Sequence, residues 1–286
     1  MNPTPSTPQV ITHVAELQRR VHAARQVGRV VGLVPTMGAL HEGHLSLIDA
    51  STAECGLTVV TIFVNPTQFG PNEDFAAYPR DLQHDLSLLA GRGEVLVFAP
   101  DTATVYGARH ATSIEVVGPA LPLEGEFRPG HFRGVATVVL KLFLLVRPDR
   151  AYFGRKDYQQ TLVVRRMTDD LHLPIHIEVC PTVREPDGLA MSSRNVYLSP
   201  EERQRALAIS QSLLMAKHLI AGGTLDAATV TARMRERLTA ADLKIDYVAL
   251  ADPDTLEGVA TLDRPTVALI AARVGQTRLI DNERIV

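Results

Sequence analysis

The chain lacks the features that mark several specialised classes of protein. Its 29 Lys and Arg are matched by 32 Asp and Glu, and the net charge of −3 gives no field that would attract a nucleic-acid backbone or an anionic membrane. No segment approaches the roughly 18 apolar residues that span a bilayer. The amino terminus has no basic stretch followed by an apolar core of signal-peptide type. We therefore expect a cytoplasmic protein with no nucleic-acid and no membrane partner.

Cysteine is also scarce. The 2 Cys, Cys55 and Cys180, have apolar or helical surroundings and no CxxC spacing, so we expect buried free thiols rather than a disulfide, metal or redox pair. What the chain has is apolar content: 45% of its 286 residues are hydrophobic, enough for one large domain or for a large and a small one. The short segment Asn2 to Pro8 is polar and rich in Pro and Thr, and is predicted to be a frayed tail.

Helical and strand patterns alternate along the first part of the chain. Apolar residues at helical spacing begin at Val14 and stop at Gly28, and continuous apolar runs typical of buried strands follow such segments. This alternation predicts an α/β fold with a doubly wound parallel sheet, whose ligand crevice lies at the carboxyl ends of the strands. The predicted strands are 29–34, 57–64, 94–98, 150–153 and 175–179, and the predicted helices after the first are 44–55, 81–89, 135–145 and 158–171.

The pattern changes after Asn195. Ser199 and Pro200 are typical of a helix start, and two amphipathic helices, 203–220 and 227–238, are followed by short strands at 244–250, 266–274 and 277–281. These elements predict a smaller α+β C-terminal domain of about a hundred residues. We therefore divide the chain into residues 1–184, a Rossmann-like domain, and residues 185–286, a small C-terminal lid domain.

The first segment that indicates chemistry joins the strand 29–34 to the next helix. His41 and His44 flank Gly43 there, so their side chains and the unpaired N–H groups of the helix start should meet at one place that suits an anion. The absent side chain of Gly43 lets a base or phosphate approach the backbone, and imidazoles can donate to phosphate oxygens. A zinc site would need a third ligand, and no HExxH pattern or Cys cluster supplies one.

Two further segments carry groups that suit phosphate. Met191-Ser192-Ser193-Arg194-Asn195 combines hydroxyls with a guanidinium in one loop, although such a run also occurs in an ordinary solvated turn. The segment 154–160 opens a helix after the strand 150–153, where Lys156 can meet phosphate charge and Asp157 a ribose hydroxyl. The alternative for Asp157 is to complement the helix dipole, and both can hold.

Three other loops are compatible with small-molecule binding or with structure alone. The segment 65–71 carries neutral amides between two prolines, which suits a hydroxylated anionic substrate but also a stiff turn. Asp81 and Asp85 lie four residues apart, where one helix face could hold magnesium through water or simply face solvent. The segment 128–134 either shapes a pocket wall or forms a Pro-Gly turn.

Taken together, these segments resemble the pantothenate synthetase family, a branch of the nucleotidyltransferases with HIGH-type and KMSKS-like motifs. The resemblance runs from about residue 10 to the C-terminus and rests on VPTMGALHEGH, FVNPTQFG, YPR, RPGHFRGVATVVLKLF, GRKDYQQ and REPDGLAMSSRN. It implies a Rossmann-like N-terminal domain, a C-terminal lid and a homodimer. It also implies condensation of (R)-pantoate with β-alanine to pantothenate, with ATP and Mg²⁺, through an enzyme-bound pantoyl adenylate that releases pyrophosphate and then AMP.

The resemblance also implies roles for single residues. His44 takes the place of the general acid with His41 beside it, Lys156 and Arg194 act on the phosphates, Gln68 and Gln160 bind pantoate, and Asp85 matches an acidic position tied to magnesium. The implied ATP-binding residues are Met37, Gly38, Ala39, Leu40, His41, Glu42, Gly43, His44, Gly154, Arg155, Lys156, Asp157, Val183, Met191, Ser192, Ser193 and Arg194. Two positions depart from the family pattern: His84 stands where a second acid is common, and Arg155 replaces an acidic residue.

Other functions remain to be separated from this one. A nucleotidyltransferase of the same fold could use a different small acceptor, and only the acceptor requirement distinguishes it. An RNA-binding or tRNA-charging protein would need a basic face, which the charge balance argues against. A non-catalytic nucleotide-binding module would have no need for His44, Lys156 and Arg194 together.

Overall fold

The computed structural model describes residues 8–71 and 73–286, which form two compact units. The predicted tail therefore lies outside the described residues except for Pro8. The first unit comprises the described residues up to Ala120, with Glu124–Gly154 and Gln159–Cys180. The second comprises Leu121–Leu123, Arg155–Tyr158 and Pro181–Val286. The division at residues 184 and 185 into a binding domain and a lid stays a prediction.

The first unit is a parallel sheet of six strands in the order β1-β4-β3-β2-β5-β6. Its strands are β1 Gln9–Ile11, β2 Val31–Thr36, β3 Leu57–Ile62, β4 Val95–Phe98, β5 Arg150–Gly154 and β6 His176–Cys180. Its helices are α1 Val14–Gln26, α2 Glu42–Glu54, α3 Leu82–Leu89, α4 Thr102–Val105, α5 Glu124–Phe127, α6 His131–Val146 and α7 Tyr158–Asp170.

Both faces of the sheet are covered, which confirms the predicted doubly wound arrangement. Adjacent strand residues point to opposite faces, so Leu33 packs with α1 and α6 residues while Val34 packs with Leu45 and Ile48 of α2. Because every central strand is buried on both sides, it is a continuous apolar run rather than an alternating one.

The short elements β1, α4 and α5 were not predicted, because three or four residues are too few to show a period, and β1 pairs as an edge strand with β4. The other differences lie at element ends. The helix α2 begins at Glu42 rather than at His44, and α6 begins at His131 rather than at Val135. Both of the extra first turns contain polar residues and Gly, which hide the helical period.

The second unit has the α+β composition expected for the smaller C-terminal domain. Its helices are α8 Pro200–Ala221 and α9 Ala227–Ala240, and its antiparallel strands are β7 Lys244–Ala251, β8 Val267–Val274 and β9 Thr277–Arg284. Ser199 caps α8 in a reciprocal capping box with Glu202, as the Ser-Pro-Glu-Glu sequence predicts. Buried residues such as Leu213, Val230 and Ile270 form a core of its own.

Candidate active site

The two histidines of the HxGH segment form the start of α2. His41 is the N-cap, and its Nδ1 accepts a hydrogen bond from the Gly43 amide at 3.1 Å. The Nδ1 of His44 in turn accepts from the His41 amide at 3.4 Å, so the two side chains make a reciprocal capping box. Their ring centroids lie 4.1 Å apart. The pair is therefore held by the backbone at the positive end of the helix dipole.

This capping fixes how each neutral imidazole carries its proton. A neutral ring has one donor and one acceptor nitrogen. Because Nδ1 accepts from a backbone N–H in both rings, the hydrogen of the neutral form belongs on Nε2 in both. His41 and His44 thus each have an Nε2–H donor, which suits the phosphate oxygens that the sequence predicted at this helix start.

The turn before the histidines has a strained backbone that Asp85 holds. Gly38 and Ala39 have φ of 81° and 49°, in the left-handed region, which is costly for Ala39 because of its Cβ. The Asp85 carboxylate, only 1% exposed, accepts from the Ala39 amide at 3.1 Å and from the Leu40 amide at 2.7 Å. A Cβ on Gly38 would lie 3.0 Å from Asp85 Oδ2, so glycine is required there twice over.

Asp81 and Asp85, the acidic residues that could hold magnesium through water or simply face solvent, both accept hydrogen bonds from backbone amides. Asp81 is the N-cap of α3, where it accepts from the His84 amide at 2.9 Å. Asp85 instead accepts from the amides of Ala39 and Leu40 in the turn before the histidines. Both aspartates line a cavity of about 360 Å³ with Asp101, but Asp101 also caps a helix, by accepting from Thr104. Among residues 8–71 and 73–286, no three His, Cys, Asp or Glu side chains converge as metal ligands. These residues do not fit a direct Mg²⁺ site, and the link between Asp85 and magnesium stays a prediction.

Gln68 lies in a short turn that brings its side chain to the HxGH segment. Its Nε2 contacts Met37 Sδ at 2.9 Å, and its Oε1 accepts from Asn65 Nδ2 at 3.1 Å. The same Asn65 amide donates to the Gly134 carbonyl at 3.2 Å. A Cβ on Gly134 would lie 2.2 Å from the Thr67 carbonyl oxygen, so this glycine lets α6 approach the turn. The predicted pantoate residue Gln68 and the predicted ATP residue Met37 are thus in contact.

Asn65 was not predicted as a site residue, although it is 1% exposed and central to this turn. Its Oδ1 accepts from the Thr67 amide, the Thr67 hydroxyl and the Tyr106 hydroxyl, at 3.3, 3.0 and 2.8 Å. The sequence signal was the Asn-Pro pair, since Asn is a preferred cap and Pro a preferred first residue of a helical turn. Asn65 therefore fixes the turn that carries Gln68.

The segment 128–134 holds the same turn from the other side. The Nδ1–H of His131 donates to the Gln68 carbonyl at 2.9 Å, and Arg128 forms two 2.7 Å hydrogen bonds with the carboxylate of Glu73. Burial lowers the pKa of His131, and the positive Arg128 lowers it further, to about 4. Burial alone would raise the pKa of Glu73, but the Arg128 hydrogen bonds and charge outweigh it and lower the pKa to about 2. At neutral pH a neutral imidazole and a full ion pair hold the backbone of Gln68.

The remaining predicted residues of the first unit lie at the end of β5 and the start of α7. Gly154 ends β5, and Gln160 is partly buried in the first turn of α7. Its neighbour Gln159 has a structural role, since it is buried, donates to the Pro119 carbonyl at 2.8 Å and accepts from the Glu124 amide at 3.1 Å. The two adjacent glutamines are therefore distinct, and only Gln160 stays a candidate for substrate.

In the second unit, the predicted phosphate-binding residues lie on two segments. Arg155–Asp157 form a 3₁₀ turn, in which Lys156 Nζ lies 3.6 Å from Asp157 Oδ1. The loop that follows Val183 folds back on itself, and the Met191 amide donates to the Val183 carbonyl at 3.0 Å. Ser192 caps a second 3₁₀ turn, Ser193–Tyr197, by accepting from the Arg194 amide at 3.3 Å. One of the two hydroxyls predicted to bind triphosphate thus also shapes the loop.

Ion pairs tie that loop to α8. Arg203 contacts Glu185 at 2.6 Å and Asp187 at 2.7 Å, and the Asn195 amide donates to Glu185 at 2.7 Å and to the Ala190 carbonyl at 3.1 Å. The acidic residues Glu185 and Asp187 of the loop thus have a structural role, as partners of Arg203. The loop conformation is therefore determined within the second unit.

The two cysteines are free, as predicted, although Cys180 is only partly buried. No helix in the described part of the chain has the length and apolar character needed to span a membrane.

Comparison with known proteins identifies the family. A family model described as Pantoate-beta-alanine ligase matches residues 9–284. The chain is similar to pantothenate synthetase 1 of Bradyrhizobium diazoefficiens, at 56% identity over 96% of this chain and 97% of the relative. It is also similar to the pantothenate synthetase of Moorella thermoacetica, at 52% identity over 96% and 97%.

Solved structures give the same result. The crystal structure of pantothenate synthetase from Thermus thermophilus superposes with a TM-score of 0.92 and 46% identity, covering 97% of this chain and 99% of that one. A pantoate-beta-alanine ligase from Francisella tularensis, described as complexed with beta-gamma ATP and beta-alanine, superposes with a TM-score of 0.80 at 34% identity over 97% of both chains. The chain belongs to the pantoate-beta-alanine ligase family.

Proposed function

We propose that the protein is a pantothenate synthetase, which condenses (R)-pantoate with β-alanine and consumes ATP. The pantoate carboxylate attacks the α-phosphorus of ATP and pyrophosphate leaves. The β-alanine amine then attacks the carbonyl carbon of the pantoyl adenylate, and AMP leaves. The observation that carries the proposal is the His41 and His44 capping box, which gives two Nε2–H donors at a helix start, in a chain of this family.

The residues of the first unit suit the adenylation step. His44 donates to the phosphate oxygens as their charge changes, with His41 beside it, and the segment Met37 to His44 receives the nucleotide. Gln68, fixed by Asn65 and His131, binds pantoate through its neutral amide, as does Gln160. No covalent enzyme intermediate is required, so positioning and charge neutralisation supply the rate acceleration.

The second unit carries further groups for phosphate charge, Lys156 and Arg194. Their proposed role is to neutralise the triphosphate and the leaving pyrophosphate, in which a guanidinium binds two oxygens and an ammonium acts as a point charge. Gly154 to Asp157, Val183 and Met191 to Ser193 belong to the same proposal as ATP contacts, and the domain of residues 185–286 serves as a lid that shields the reactive adenylate from water. A Mg²⁺ requirement, a homodimer and a cytoplasmic location are proposed from the family resemblance alone.

An omission assay tests the function. Purified protein with ATP, pantoate and β-alanine should release AMP, and leaving out any one of the three should abolish that release. Pyrophosphate release should require pantoate but not β-alanine. If pyrophosphate formed with another acceptor and not with pantoate, the protein would instead be a nucleotidyltransferase of the same fold.

A further inference from the structure

Asn282 lies on β9, far along the chain from every segment that the sequence associated with catalysis. Its side chain is 4% exposed. The amide nitrogen Nδ2 donates to the carbonyl oxygen of Arg155 at 3.0 Å and to that of Lys156 at 2.8 Å. One buried amide group thus holds two consecutive carbonyls of the turn that carries Lys156.

The orientation of this amide is fixed by what it faces. Rotating it by half a turn would place Oδ1 against two carbonyl oxygens, which cannot donate. In the orientation observed, Oδ1 is buried and has no hydrogen-bond partner among the described residues. A buried oxygen without a partner is destabilising. The unpartnered oxygen is the consequence of the orientation in which Nδ2 donates to both carbonyls.

The neighbouring residue on β9 anchors this part of the strand. Asp281, 3% exposed, pairs with Arg184 through contacts of 2.6 and 3.1 Å, and its Oδ1 also accepts from the backbone N–H of Asn282 at 2.8 Å. Arg184 belongs to the loop that leads to Arg194. A buried ion pair therefore holds β9 at the position from which Asn282 contacts the Lys156 turn.

We propose that Asn282 is a positioning residue for Lys156, an inference that rests on the role of Lys156 in the proposed function. Lysine is a point charge on a flexible stem of four carbons, so its backbone must be fixed for the charge to be placed reproducibly. The Lys156 ammonium lies 3.6 Å from Asp157 Oδ1, and its charge also acts on the buried Asp281 carboxyl. Asn282 constrains the backbone instead, by fixing the carbonyls on both sides of the Lys156 amide nitrogen and Cα.

A double-mutant cycle tests the proposal. The rate of pyrophosphate release from ATP and pantoate, without β-alanine, is measured in a single turnover for wild type, Asn282→Ala, Lys156→Ala and the double variant. We expect Asn282→Ala to lower the rate about 10-fold or more, since small displacements of a positioned group have effects of up to about 100-fold. In the Lys156→Ala background the same change should cost less than about twofold, because there is no ammonium left to position. Thr277→Val, also buried on β9, is the matched control and should keep the wild-type rate.

A size-matched variant keeps the test valid if Asn282→Ala does not fold. In Asn282→Asp an ionised carboxylate faces two carbonyl oxygens, whereas the protonated form can donate to one of them. The rate of Asn282→Asp relative to wild type should therefore rise as the pH falls. A ratio that does not change with pH contradicts the proposal.

The outcomes separate this inference from the proposed function. If Lys156→Ala adenylates pantoate at the wild-type rate, the role given to Lys156 is wrong. If Lys156→Ala is impaired but Asn282→Ala has the wild-type rate, or if the two effects multiply, Asn282 does not act through Lys156 and the inference is overturned while the function stands. A lower thermal midpoint of Asn282→Ala without a change in rate also overturns it.

Discussion

Replacing Asp85 by Asn tests whether this buried carboxylate holds the turn at Ala39 and Leu40 or holds a metal. The carboxylate accepts from the amides of Ala39 and Leu40, and a hydrogen bond to a charged group contributes about 1.5–3 kcal/mol. An Asn has one carbonyl oxygen, so one of the two bonds is lost and an NH₂ group faces a backbone N–H. We expect the free energy of unfolding to fall by about 2.5–6 kcal/mol, the sum of about 1.5–3 kcal/mol for one lost bond and about 1–3 kcal/mol for one buried donor left without a partner.

The same change should weaken the use of ATP. The turn contains the left-handed residues Gly38 and Ala39 and leads directly to His41, so relaxing it moves the amides and the two imidazoles. We expect kcat/KM for ATP to fall about 10- to 100-fold, in line with the effect of misplacing reacting groups by about 1 Å. AMP release at varied ATP concentration measures this loss, and urea unfolding at constant m-value measures the stability.

Asp81→Asn is the matched control for Asp85→Asn. Asn caps a helix as well as Asp does, so this variant should stay within about 0.5 kcal/mol of wild type. If Asp85→Asn keeps both wild-type stability and wild-type kcat/KM for ATP, the positioning argument is wrong. If its activity loss is restored by raising the Mg²⁺ concentration, Asp85 acts as a metal ligand instead.

The remaining predictions concern the two histidine sites, the lysine turn and a close helix contact. His44→Ala should lower kcat by about 100-fold or more in a folded protein, as expected for losing one preorganised donor; a kcat near wild type would remove His44 from the chemistry. Lys156→Ala should slow the adenylation half-reaction and leave the amine step with supplied adenylate intact; the opposite result would contradict its role. Lowering the pH from 6.5 to 4 should destabilise the wild type by on the order of 3 kcal/mol, because unfolded His131 binds a proton that the folded imidazole, with a pKa of about 4, does not. Denaturant unfolding across that range should show this slope in wild type and lose it in His131→Gln. The Glu73 ion pair adds stability above pH 4.5 that is lost as the pH falls toward 2. Gly134→Ala should raise the KM for pantoate, since a Cβ there meets the backbone of the Gln68 turn; an unchanged KM would show that this contact does not position Gln68.

Sequence patterns predicted the elements whose buried residues are continuous or recur at a regular spacing along the chain. Central strands such as β2 and β3 are buried on both faces and so are continuous apolar runs, and α1 and α9 keep a helical period for several turns. Short or polar elements have no such period. β1 has three residues, and the first turn of α6 mixes His, Phe, Arg and Gly, so the pattern predicted neither.

The residues of the candidate site also form two groups, one recognisable from local spacing and one whose partners lie far away along the chain. The sequence by itself determined the motifs whose chemistry is local: His41, Gly43 and His44 at a helix start, and Ser192, Ser193 and Arg194 in one loop. These residues are close along the chain, so their spacing already limits what they can bind. The family also followed from these motifs, in their order along the chain.

Only the tertiary structure decided the roles of residues that act across the chain. Asp85 serves the turn at Ala39 and Leu40, His131 the carbonyl of Gln68, and Asn282 the carbonyls of Arg155 and Lys156. Each is a buried or half-buried polar group that a distant backbone amide or carbonyl satisfies, and no local spacing records that partner. For the same reason, Asp85 looked like half of a surface acidic pair in the sequence and is a buried backbone acceptor in the fold.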